Sequence, residues 1–142
     1  MFSKSNLLGT LVGFVAMLGI GLVFFGPPMD FFWDAHSTHP DGYFREEPLL
    51  IVFFLSLLFS GFFLSTIYGK IKKENHNFMS GAEIGLLVAA FVYFGTVLAR
   101  YAMTTGSDLT GYLIGGILTL IQFGIVGGLI ALVYKAVEKR KK

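Results

Sequence analysis

Four stretches without a charged residue, Leu7 to Met29, Leu49 to Gly69, Ile84 to Ala99 and Leu109 to Tyr134, constrain this chain more than any other feature. At a rise of about 1.5 Å per residue, about 20 helical residues cross a hydrocarbon core of roughly 30 Å, so the first, second and fourth suffice. The third suffices when extended from Phe78 to Met103, with Glu83 and Arg100 near its ends, where long charged side chains reach the interface. Backbone polar groups in lipid are satisfied only within helices or closed barrels. The pattern therefore predicts an all-α fold, an integral membrane four-helix bundle with approximate spans 7–27, 49–69, 80–101 and 109–134, forming one domain over 1–142.

Composition agrees. Hydrophobic residues make up 54% of the chain and charged residues 14%, too few to cover a water-exposed surface. With no cysteine there is no disulfide, thiolate metal site, thiol nucleophile or covalent haem attachment. No Asp, Glu, Lys, Arg or His lies deep in any span. Proton-coupled exchange, ion pumping and histidine-ligated haem normally need such a residue there.

The connecting segments orient the bundle. Lys4, then Lys70, Lys72 and Lys73, then Lys135, Lys139, Arg140, Lys141 and Lys142 fall on one side, and only Arg45 and Arg100 on the other. The inside-positive rule places both termini in the cytoplasm and an acidic loop, about 30–48, outside. The first run ends in "FFGPPMDFFW" rather than small residues, which predicts an uncleaved span. Pro27 and Pro28 are expected to break that helix, with Phe31, Phe32 and Trp33 as an interfacial belt.

Small residues four apart provide helix-packing seams: Gly9 and Gly13; Gly61, Ser65 and Gly69; Gly81, Gly85 and Ala89; Gly95 and Ala99; Gly111 and Gly115; Gly124 and Gly128. The glycines of helix four predict either close helix contact or a groove. "STIYGKIKK" and "ALVYKAVEKRKK" each read as an interfacial tyrosine followed by lysine anchors, not as a repeat.

Five places carry candidate chemistry. In "SGAE", Ser80 and Glu83 have the spacing of a capping box, against the alternative of an ion site at Glu83. Gln122, with Thr119 one turn earlier, needs a partner at mid-membrane, and Ser56, Ser60, Tyr93 and Thr96 are candidates. The set Gln122, Thr119, Tyr93 and Thr96 reads as interhelical glue or as a small-ligand site. Arg100 is expected either to dock the outer loop through Asp30, Asp34, Glu46 or Glu47, or to reach phosphate headgroups. Asp34, His36, His39 and Asp41 are chemically acceptable metal ligands, but their spacing matches no closed motif and "HPDG" reads as a turn. The Ser and Thr between the two histidines have no base-and-orienter set for nucleophilic catalysis.

With the spans placed, "GLVFFGPPMDFFW", Gly21 to Trp33, resembles the end of the first helix in a family of small four-helix bacterial membrane proteins of uncharacterised function. Phe24, Phe25, Gly26, Pro27, Phe31 and Trp33 occupy the family's positions, and helices three and four are similar in character. The acidic insertion from Asp34 to Pro48 departs from that pattern. The resemblance implies the architecture and a bacterial source, and no activity.

The expectation is a non-enzymatic multi-pass protein of the bacterial cytoplasmic membrane, without cofactor or nucleic-acid partner. Its expected role is structural, accessory or small-ligand binding, in contact with the lipid bilayer and in a homo-oligomer or larger membrane complex. A small oligomeric transporter or channel is the alternative, and a membrane metalloenzyme using the outer loop the second.

Overall fold

The computed structural model describes residues 3–37, 47–104 and 106–139. Helix α1 runs Lys4–Phe25, capped by Ser3, whose hydroxyl accepts from the Asn6 N–H at 3.1 Å. It ends at Gly26, whose extended backbone (φ −115°, ψ −165°) interrupts the helical ladder.

The chain then turns helical again, which corrects the expectation of a loop after the prolines. A 3-10 turn, Pro27–Met29, leads into α2, Asp30–His36. Proline stops a helix it lies within but suits a first turn, where no N–H is needed and its fixed φ is already helical. Trp33 is correspondingly not a free interfacial anchor. Its indole N–H donates to the Phe24 carbonyl at 2.9 Å, satisfying one of the last carbonyls of α1, and its ring stacks on Phe25 at 5.5 Å. Phe31 keeps the expected outward position, being 75% exposed.

The second span is α3, Leu50–Ile71. The third comprises α4 (Phe78–Val92), a π-helical stretch (Tyr93–Val97) and α5 (Leu98–Met103). The fourth, α6, is the longest, Leu109–Lys139. All four are long and apolar enough to cross a membrane, and the protein is an all-α membrane four-helix bundle.

The start of α4 corrects a second expectation. Its cap is Asn77, one turn before the expected Ser80, and the Asn77 side-chain oxygen accepts from the Ser80 N–H at 2.9 Å. Asparagine is a strong cap, and Asn75 just before it takes the left-handed conformation (φ 56°) that asparagine tolerates. Ser80 is thus inside the helix and Glu83 is an exposed residue of its second turn, not part of a capping box.

Helix α6 is the hub. It packs against α4 and α1, α1 packs in turn against α3, and α3 and α4 barely meet. Glycine sets the closest approaches. A Cβ on Gly81 would lie 2.1 Å from the Gly127 carbonyl oxygen, and one on Gly85 2.0 Å from that of Phe123. Helices α4 and α6 therefore touch backbone to backbone, where no larger residue fits. Gly13 meets the backbone of Gly61 in the α1–α3 contact, whereas Gly95 has nothing within 4 Å of its Cβ position. The glycines of α6 serve contact, not a groove. The core of Met17, Leu64, Tyr68, Ile84, Val126, Ile130, Ala131 and Tyr134 lies toward the end bearing Lys4, Lys70 and Lys139, here called the basic end. At the opposite, far end, residues 50–56 of α3 are exposed throughout.

Candidate functional site at the basic end

Of the candidate metal residues, Asp34 and His36 lie at the far end, while His39 and Asp41 lie outside the described residues, as does Glu46. Asp34 is exposed and His36 half-buried on α2. Residues two apart on a helix point to different sides, so these two side chains do not converge. The His36 ring is engaged elsewhere: Nδ1 lies 2.7 Å from Asp108 Oδ2, and the His36 carbonyl accepts from the Asp108 N–H at 3.1 Å.

Asp108 also caps α6, its Oδ1 accepting from the Gly111 N–H at 2.7 Å. That backbone bond first, then His36, holds the Asp108 carboxyl below the usual carboxylate range. Among the described residues, this bond pair docks α2 onto the start of α6, a contact the sequence did not suggest. Arg100, expected either to dock the outer loop or to reach headgroups, is an exposed residue of α5. Among the described residues no group of three or more His, Cys, Asp or Glu is placed to hold a metal ion.

The four mid-membrane candidates are not gathered into one site. Gln122 is buried and its Nε2 donates to the Met17 carbonyl of α1 at 2.9 Å. Thr119 bonds the Gly115 carbonyl one turn back, Thr96 the Val92 carbonyl, and Tyr93 reaches across to the Tyr112 carbonyl of α6. Ser56 and Ser60 likewise bond their own helix. Hydroxyls satisfied by a carbonyl one turn back need no interhelical partner, so Gln122 finds a main-chain acceptor instead.

The polar side chains that do converge lie at the basic end, around a residue the sequence reading missed. His76 is buried in the turn between α3 and α4. Its Nδ1 is 2.9 Å from the hydroxyl of Tyr68, which is also 3.5 Å from Ser80 Oγ. Tyr134 donates to the Ser65 carbonyl at 2.9 Å, and Ser65 Oγ donates to the Asn6 carbonyl at 3.2 Å. The rings of Tyr68, His76 and Tyr134 pack with centroids 5.1 to 5.5 Å apart.

Tyr68 and Tyr134, read as interfacial anchors, are instead 1% and 9% exposed and face each other. Space for this exists because Gly69 has no side chain: a Cβ there would lie 2.5 Å from the Tyr134 hydroxyl. The network takes Asn6 from α1, Ser65 and Tyr68 from α3, Ser80 from α4 and Tyr134 from α6, so it joins all four spans. The available signal was "NHN", a histidine between two turn-forming asparagines next to a helix start.

Two openings flank the network. One, about 700 Å³, is lined by Glu74, Asn75, His76, Lys135, Glu138 and Lys139, with Glu138 4.0 Å from His76 Nε2. Its carboxylates and ammonium groups balance. The other, about 320 Å³, lies between α1 and α3 and includes Lys70 and Lys73, with no acidic residue among the described residues that line it.

No family model, curated protein or solved structure matches the chain. Its class thus rests on the four spans and their packing.

Proposed function

We propose that the protein is a non-enzymatic accessory component of the bacterial cytoplasmic membrane, with its basic end and both termini in the cytoplasm. The lysines gathered at one end support this orientation, and the likeness of Gly21–Trp33 to a bacterial membrane family supports the source.

The observation that carries the accessory role is the open side of the bundle. Helices α3 and α4 do not close on each other, and between them runs a lateral groove of about 550 Å³ lined mainly by apolar residues, among them Phe59, Phe63, Leu87, Phe91 and Phe123. A helix of a second copy or of a larger subunit fills such a groove by side-chain packing, the interaction that joins helices in lipid. Transport through the bundle itself is disfavoured by the backbone contact of Gly81 with Gly127 and by the satisfied amide of Gln122.

The test is photo-crosslinking in native membranes from a benzophenone amino acid at Phe91, on the groove, and at Val15 on α1, both exposed on the bundle surface. A discrete protein adduct from Phe91 and none from Val15 is expected. Lipid adducts alone at both positions would remove the accessory role.

A further inference from the structure

The 320 Å³ opening has an apolar neighbour on the same two helices. On α3, Phe59, Phe62, Thr66 and Lys70 succeed each other at three- or four-residue steps and so share one face, and Lys73, just past the helix end, lines the same opening. On α1, Leu7 is followed by Thr10 three and Leu11 four residues on, with the cap Ser3 four residues before it, so these also lie on one side. The two helices run antiparallel, with Asn6 Nδ2 bonded to Thr66 Oγ1 at 3.1 Å, so their faces flank the crevice between them. Its end is polar and cationic, with Ser3, Asn6, Thr66, Lys70, Lys73 and Tyr134. One helical turn deeper, along the same two helices, lies a groove of about 470 Å³ lined by Leu7, Thr10, Leu11, Leu58, Phe59 and Phe62.

A cationic chamber followed by an apolar groove on the same pair of membrane helices matches one kind of molecule in both parts. We infer that this crevice holds an anionic glycerophospholipid, its phosphate between Lys70 and Lys73 and an acyl chain in the groove. Lysines at helix ends contact headgroups in general. Here two lysines with no acidic residue among the described lining, the walls given by Asn6 and Thr66 and the aligned groove turn general contact into a site. The neighbouring opening, where Glu74 and Glu138 offset Lys135 and Lys139, has no such excess of charge. The inference needs the membrane placement and neither the orientation nor the accessory role proposed above.

The full chain, placed in nanodiscs of equal phosphatidylglycerol and phosphatidylcholine and released for native mass spectrometry, reads lipid retention directly. Retention of phosphatidylglycerol is expected to exceed that of phosphatidylcholine on the order of tenfold, the effect of two lysines near a headgroup. The double variant Lys70→Gln, Lys73→Gln should fall to near parity, and Lys135→Gln, Lys139→Gln should keep the preference. Equal loss in both double variants would mean that net charge alone attracts the lipid and would overturn the site, as would an unchanged preference in the first. Leu11→Trp fills the groove from an exposed position while leaving the lysines in place. It is expected to lower retention several-fold; unchanged retention would replace the lipid with a simple anion site. Lys70, Lys73 and Leu11 are all exposed, so these variants keep the fold.

Discussion

At the scale of single residues, the polar side chains that matter are the buried ones with short partners. His76 gives Tyr68 its 2.9 Å hydrogen bond inside a three-ring cluster, and removing one partner of a buried bond leaves the other desolvated. His76→Ala is expected to cost about 1 to 3 kcal/mol of stability. Glu83→Ala, at an exposed helical position, should stay within about 0.5 kcal/mol. Thermal melts of both variants in one neutral detergent check the contrast. At the far end Asp108 supplies a pH dependence. Its carboxyl sits below its ordinary value through the Gly111 N–H and His36, so its docking contribution is complete above about pH 4 and is lost as pH falls further. The single tryptophan, Trp33 on α2, reports that docking. Its emission should shift to the red on acidification below about pH 4. Asp108→Asn, which keeps a capping oxygen but loses the charge, should show part of that shift at neutral pH.

At the scale of elements, the small-residue seams have unequal weight, which spacing alone does not disclose. Gly81 and Gly85 place α4 directly on the backbone of α6, while Gly95, of the same residue type and in the same span, lies in the π-helical stretch against open space. Gly81→Ala should therefore cost about 1 to 3 kcal/mol by overpacking. Gly95→Ala should be neutral or slightly stabilising, since alanine restricts the unfolded chain. Comparing the fraction folded on titration with denaturing detergent measures both. The first span shows the same limit from the other side. Its proline pair was legible as a break, but whether a proline ends one helix or opens another depends on the contacts made by the residues C-terminal to it. Here Trp33 ties α2 back to the Phe24 carbonyl. The cap of α4 lies one turn earlier than spacing suggests for a similar local reason, because Asn77 and Ser80 both have capping chemistry and only one can precede the first turn.

At the scale of the whole molecule, the bundle is dense and hydrogen-bonded at its basic end and open along the side where α3 and α4 part. The absence of cysteine makes its orientation directly testable. Single substitutions Glu74→Cys and Glu47→Cys lie at opposite ends, both exposed. A membrane-impermeant maleimide is expected to label Glu47→Cys in intact cells and Glu74→Cys only after permeabilisation; the reverse pattern would invert the proposed topology. The number of spans, their helical nature and the asymmetry of basic charge were determined by the sequence itself. Lipid permits few backbone solutions, and about 20 apolar residues in a row satisfy one of them without reference to any neighbour. Which helices touch was decided only in three dimensions, as were the inward turn of Tyr68 and Tyr134, the burial of His76 and the pairing of His36 with Asp108. Those contacts join residues 8 to 72 positions apart in the chain, through side-chain shape and hydrogen-bond geometry that hydropathy and spacing do not encode.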